Sequence, residues 1–306
     1  MSQPSAAQRL DQSQARIERA LSAALPADQG QSHRLFQAMR YSSLNGGKRL
    51  RPALCFATAE CFDQSNPSHF SAAQNQSAID AIAAAIEMIH VYSLIHDDLP
   101  AMDDDDLRRG QPTCHKQFNE AIAILASDAL HTQAFLTLSN APLPADIVVA
   151  LIRDLAQAAG AQGMVLGQAI DLAAMGLSLN LTELKAMHEH KTGALLTASI
   201  VMSARTCGAT PAQLTALTEF GFHLGLCFQI VDDILDVTSS TEVLGKTVGA
   251  DHKLNKPTYL SMLGLEHAKQ LAAECLNQAQ KSLQTAALPN ADPLWELARF
   301  VVERDH

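Results

Sequence analysis

The chain has 306 residues and a net charge of −10; 47% of it is hydrophobic and only 5% aromatic. That length admits one large domain or two small ones, and the acid excess argues against nucleic acid as a partner. Alanine and leucine abound, β-branched runs are short and the long segments repeat with helical period, so an all-α protein with a large core is expected.

Six cysteines (Cys55, Cys61, Cys114, Cys207, Cys227, Cys275) lack any CxxC or zinc spacing and read as free thiols of a reducing compartment. The N-terminus lacks a basic-then-apolar signal pattern. No uncharged apolar stretch reaches the roughly 20 residues that span a bilayer. The expectation is a cytoplasmic protein without stable membrane insertion.

Residues 5–25 read as an amphipathic helix with Leu10, Ile17, Leu21 and Leu25 on one side, and Ser32 as the cap of a short helix through Met39. In Asn45-Gly46-Gly47-Lys48-Arg49-Leu50-Arg51-Pro52, two glycines allow close backbone approach and three cations gather where Pro52 can begin a helix. The stretch reads either as an anion cradle or as an ordinary basic turn.

After a polar loop, a long helix over 77–104 carries His90, Tyr92, Ser93 and His96 and delivers six carboxylates within ten residues: Asp97, Asp98 and Asp103 to Asp106. Crowded carboxylates repel, and a hard divalent cation relieves them. Mg²⁺ commonly bridges one or two carboxylates to substrate phosphates, and Arg108 and Arg109 supply forked donors that suit phosphate oxygens. A solvated acidic loop is the other reading. An EF-hand is excluded, because no glycine stands sixth and no closing Glu follows.

Helices follow over 116–139, with Asp128 in apolar company, over 145–159, and from Gly160–Gly167 onward, with Gln168 and Asp171. Residues 182–206 hold Lys191-Thr192-Gly193 and then an apolar helix; locally, Lys191 also fits a snorkelling surface lysine. Pro211 opens a helix that runs through Phe228-Gln229 into Asp232-Asp233-Ile234-Leu235-Asp236. Asp232 and Asp236 are four apart and share a helix face, and charges inside an apolar helix are expensive unless neutralised. Two such clusters suggest acidic helix ends facing one cavity. Lys246, Lys253 and Lys256 follow in a loop suited to closing over a diphosphate. Helices over 265–285 and 292–304 finish the chain, and with no repeat or linker residues 1–306 read as one domain.

Taken in order, Gly46-Gly47-Lys48-Arg49-Leu50-Arg51-Pro52, Asp97-Asp98-Leu99-Pro100-Ala101-Met102-Asp103 with Arg108-Arg109-Gly110-Gln111-Pro112-Thr113, Lys191-Thr192-Gly193, Phe228-Gln229, Asp232-Asp233-Ile234-Leu235-Asp236 and Gly245-Lys246 resemble the trans-isoprenyl diphosphate synthases over nearly the whole chain. The resemblance implies a single-domain isoprenoid synthase fold of ten or more helices around a deep cavity, a homodimer, and head-to-tail condensation of isopentenyl diphosphate with allylic diphosphates. It implies Mg²⁺, three ions per active site with substrate bound and Mn²⁺ as a substitute, held by Asp97, Asp103 and Asp232, with Asp98, Asp233 and Asp236 as neighbours. It assigns Arg108, Lys191, Lys246 and Lys256 to the allylic diphosphate, and Lys48, Arg51, His90 and Arg109 to isopentenyl diphosphate. Thr192 and Gln229 present oxygens towards the carbocation. Arg304 is placed at closure of the homoallylic site.

Asp97 and Asp103 are six apart, about 120° out of register on a straight helix, which would align Asp104 instead. Pro100 between them disturbs the helix, so two residues are expected to bulge out and restore the pair. Tyr92 lies about 7.5 Å down the axis from Asp97. With Ser93 it reads as the chain-length position, a floor resembling the bacterial C15-forming pattern; the alternatives are a plain core tyrosine and the same chemistry stopping at C20 or C10. A terpene cyclase is disfavoured by Asp236 and Ser240 and by the Lys48/Arg51 cradle, and a non-catalytic binding subunit by the intact carboxylates.

Overall fold

The computed structural model describes residues 5–28, 33–62, 72–174, 179–238 and 258–302. The fold is all-α, and the chain divides into two compact units, residues 1–56 with 67–152 and residues 57–66 with 153–306.

The first unit holds α1 (Ala6–Ala24), α2 (His33–Ser43), the start of α3 (Leu50–Glu60), α4 (Ala72–Asp97), α5 (Cys114–Gln117), α6 (Glu120–Ser139) and the start of α7 (Ala145–Ala159). Ser5 and Gln8 form a capping box that starts α1, whose buried Ile17 and Leu21 serve its packing on α4. Between Ile79 and Ile95, α4 is apolar nearly all round, as suits a core helix. It stops at Asp97, not at 104, because Pro100 cannot continue a helix and biases the residue before it away from helical geometry. A two-residue antiparallel pair, β1 (Leu107–Arg108) with β2 (Gln111–Pro112), follows, in register Leu107 to Pro112 and Arg108 to Gln111. The expected helix over 116–139 is broken before α6, which Asn119 caps by accepting from the Ile122 amide.

The second unit contains α8 (Met164–Ala173), α9 (Leu181–His188), a π-helical turn (Glu189–Gly193), α10 (Ala194–Thr206), α11 (Pro211–Thr238), α12 (Tyr259–Leu263), α13 (Leu265–Thr285) and α14 (Asp292–Val302). Helix α11 packs on α10 and α13 around Leu226, Ile230, Leu235, Tyr259 and Cys275.

By length and composition α4, α6 and α11 each suffice to cross a bilayer. None of the three is an uncharged stretch, because carboxylates interrupt each one, Asp80 and Glu87 in α4 for example. Most of the apolar window of α4 and α11 is buried, but only a third of that of α6, whose Ile124, Leu125 and Leu136 are 44%, 53% and 51% exposed.

Candidate active site

In the first unit the end of α4 sets the carboxylates. The Asp103 amide donates to the Asp97 carbonyl at 2.9 Å and the Asp104 amide to Leu99 at 3.1 Å, so the intervening residues loop out. Asp97 and Asp103 become neighbours and are both half-buried. Asp104 takes a left-handed backbone (φ 49°) and is exposed, 3.8 Å from Lys116 and 4.0 Å from His115. The expected bulge is therefore present, and it favours Asp103 over Asp104 as the partner of Asp97.

Asp98 is turned inward. It is 3% exposed and accepts from Arg108 through Nε (2.9 Å) and Nη2. Burial raises its pKa against the lowering pull of that guanidinium, and the net shift is upward. Arg108 also reaches Asp105 at 2.9 Å. Asp98 thus holds the Arg108 guanidinium in place.

The basic stretch forms a turn whose carbonyls are tied down. Arg49 donates to Ser43 O (2.6 Å), Arg109 to Gly46 O (2.5 Å) and Gln14 to Gly47 O (3.0 Å). Gly47 has φ 109°, a conformation that demands glycine, and a Cβ there would lie 2.5 Å from Cζ of Arg109, whose guanidinium would have to move aside. Lys48 is exposed and Arg51 half-buried. Desolvation, then Arg51, Arg109, Arg49 and Arg108, hold the His90 pKa well below the ordinary imidazole value, so His90 is neutral at pH 7 and can hydrogen-bond an anion without competing for charge.

Tyr92 is 8% exposed, with its ring edge-on to His96 (5.6 Å) and His131 (5.0 Å). Ser93 spends its hydroxyl on the His90 carbonyl at 2.8 Å, which leaves the ring of Tyr92 as the bulk at this position.

In the second unit, the π turn carries Lys191, Thr192 and Gly193, and such turns often mark functional sites. Lys191 Nζ donates to Asp171 Oδ2 at 2.5 Å. Thr192 Oγ1 donates to Gln229 Oε1 (3.2 Å), Gln229 Nε2 to Asp233 Oδ1 (3.1 Å), and the Tyr259 amide to Asp233 Oδ2 (2.9 Å). Asp233 is 4% exposed and orients Gln229, while Asp232 and Asp236 on the shared face are half-buried. The turn sits against two glycines. A Cβ on Gly167 would lie 2.1 Å from the Lys191 nitrogen, and one on Gly225 2.7 Å from Cα of Gly193. Lys246, Lys253, Lys256 and Arg304 lie outside the described residues.

Sequence reasoning gave Asp171 no role and missed the anchoring of Arg49 and the part of His131 beside Tyr92. Only Asp171 left a signal, a carboxylate in an apolar helix. Among the described residues, no three His, Cys, Asp or Glu side chains converge into a ready metal cage. A pair such as Asp97 and Asp103 instead suits a cation that completes its shell with water and phosphate oxygens.

An all-helical chain with an aspartate-rich helical segment in each unit, arginines beside one and a lysine–threonine turn in the second unit, has the parts of an enzyme that works on isoprenyl diphosphates. The family model for polyprenyl synthetase matches residues 32–289, and the chain belongs to this family. It is a prenyltransferase that elongates prenyl chains. The farnesyl diphosphate synthase of Escherichia coli (strain K12) is 46% identical over 88% of this chain and 89% of its own. The chloroplastic geranylgeranyl pyrophosphate synthase of Capsicum annuum is 45% identical over 90% of this chain and 72% of its own. The crystal structure of the Helicobacter pylori geranyltransferase complexed with magnesium and isoprenyl diphosphate superposes with a TM-score of 0.83, at 36% identity, over 99% of this chain and 98% of that one.

Proposed function

We propose that the chain condenses isopentenyl diphosphate head-to-tail with dimethylallyl and then geranyl diphosphate and releases (2E,6E)-farnesyl diphosphate. The observation that carries the C15 product is the buried Tyr92 ring on α4, five residues before Asp97. A second reading, a C20 product, draws on the Capsicum annuum relative.

In this reading Mg²⁺ is held by Asp97, Asp103 and Asp232, and when bound it neutralises charge on the leaving diphosphate. Arg108, Lys191, Lys246 and Lys256 bind the allylic diphosphate. The geometry of the first two supports this, since Asp98 and Asp171 hold those cations in fixed positions. Lys48, Arg51, His90 and Arg109 bind isopentenyl diphosphate. Thr192 and Gln229 offer oxygens to the allylic cation, and the buried Asp233 fixes the Gln229 amide by taking its Nε2, which leaves Oε1 on the Thr192 side. The family match across both units supports a single functional domain. The exposed apolar face of α6 supports a homodimer, which would cover it. None of the six cysteines forms a disulfide among the described residues, which supports a cytoplasmic location.

The test is an assay of purified protein with Mg²⁺, labelled isopentenyl diphosphate and either dimethylallyl or geranyl diphosphate, the products dephosphorylated and sized. Mostly C15 alcohol from both primers is expected. Mostly C20 would transfer the assignment to the second reading, and no condensation by folded protein would overturn both.

A further inference from the structure

Arg49 stands between two residues of the basic cradle but does not share their exposure. Its side chain is 1% exposed, whereas Lys48 is exposed and Arg51 half-buried. Its Nη2 lies 2.6 Å from Glu18 of α1 and its Nε 3.1 Å from the same oxygen, Nη1 lies 2.7 Å from Glu87 of α4, and Nη2 also donates to Ser43 O at 2.6 Å. Glu87 is itself 2% exposed. Arg49 also holds a left-handed backbone, φ 48°, which a non-glycine residue adopts only when its surroundings over-determine it.

These bonds tie together the parts a diphosphate would need in register. Glu87 is one helical turn before His90 on α4. Ser43 begins the turn that Gly46 and Gly47 complete, and a twisted backbone at Arg49 sets the directions in which Lys48 and Arg51 leave the chain. A carbonyl oxygen aimed at a phosphate would repel it. Arg49 takes the Ser43 carbonyl, as Arg109 takes that of Gly46 and Gln14 that of Gly47.

We infer that Arg49 is a positioning residue for the isopentenyl diphosphate cradle: through Glu87 and Glu18 it locks the 43–51 turn to α4 and α1, so that Lys48, Arg51 and His90 meet one diphosphate together. The inference rests on the proposed assignment of those three residues to isopentenyl diphosphate. A buried pair replaced by apolar side chains often keeps its stability, whereas one broken on a single side leaves a buried charge. That difference separates positioning from bulk.

Steady-state constants for both substrates and thermal midpoints are measured for the wild type, Lys48→Ala, Arg49→Lys, Arg49→Met and Arg49→Met with Glu87→Met. Lys48→Ala is expected to raise the KM for isopentenyl diphosphate about tenfold or more, with the allylic KM nearly unchanged. The double variant is expected to regain the thermal midpoint that Arg49→Met loses, yet keep an isopentenyl KM raised about tenfold and an allylic KM within about threefold of wild type. Arg49→Lys is expected to lie between, since one ammonium cannot replace a fork that grips two carboxylates and a carbonyl. If Lys48→Ala raises that KM while the folded double variant has the wild-type value, Arg49 is filler and the inference fails alone. If Lys48→Ala also leaves the KM unchanged, the cradle assignment falls, and the inference falls with it.

Discussion

The Asp103 amide bonds to the Asp97 carbonyl at 2.9 Å, closing a loop around Pro100 that joins the backbones of the two aspartates. Asp104, which a straight helix would have placed beside Asp97, turns towards Lys116. Asp103→Asn should therefore lower kcat by about 100-fold or more, as loss of charge stabilisation on a leaving group does, and raise the Mg²⁺ concentration for half-maximal rate. Asp104→Asn removes only an exposed ion pair, of little energetic weight, and should stay within about threefold of wild type. Initial rates across a Mg²⁺ titration compare the two, and equal losses would return Asp104 to the metal site.

Product length should follow the Tyr92 ring and not its hydroxyl. Tyr92→Ala opens space between α4 and the His131 face of α6, and its main product should lengthen from C15 to C20, at a cost of up to about 3–5 kcal/mol for a large-to-small core change. Tyr92→Phe keeps the ring and should still stop at C15. Sizing the dephosphorylated alcohols decides it; C15 from the folded Ala variant would make Tyr92 a core residue only.

The parts of the site that were legible in the sequence were those whose chemistry is local. Asp232 and Asp236 share a face because four residues make about one turn, and Pro100 announced the bulge that joins Asp97 to Asp103. Helix ends were missed by several residues at both ends of α4, at its start where packing decides and at its end, where the effect of Pro100 was read as a bulge within the helix and not as its stop. The pairing of Arg49 with Glu87, 38 residues on, and of Lys191 with Asp171 was not legible, because only tertiary packing brings those charges together. The π turn was not legible either. Gly167 and Gly225 approach it closely from other helices, and a lone glycine in an apolar helix carries no address.

That close approach carries its own prediction. In an exposed helix Gly→Ala gains about 1 kcal/mol of helix propensity. At Gly167 the new methyl would stand 2.1 Å from the backbone nitrogen of Lys191, which cannot rotate away. The clash should win: about 1–3 kcal/mol of stability lost and, because Lys191 and Thr192 move with the turn, kcat reduced by about 100-fold. Gly225→Ala, 2.7 Å from Cα of Gly193, should show the same signs, smaller in size. Thermal midpoints and kcat measured together test this; a stabilised, fully active Gly167→Ala would refute the packing argument.

The stability of the second unit should depend on pH through His188. Its ring lies 5.3 Å from that of Tyr259, is 6% exposed, and leaves Nδ1 without a hydrogen-bond partner among the described residues. Burial first, with Asp171 opposing and Lys191 assisting, lowers its pKa to about 4 from an ordinary 6.5. Between those values the unfolded chain binds a proton that the folded chain refuses, so stability falls as the pH drops from 6.5 towards 4 and levels off below. Two and a half pKa units correspond to roughly 3 kcal/mol in full, and about 2 kcal/mol should be lost between pH 7 and pH 5. His188→Phe, which keeps a ring against Tyr259 but cannot titrate, should remove that share of the slope. Urea unfolding of both proteins at pH 7 and pH 5 gives the comparison: a variant whose loss equals the wild-type loss would show that His188 does not carry the pH dependence.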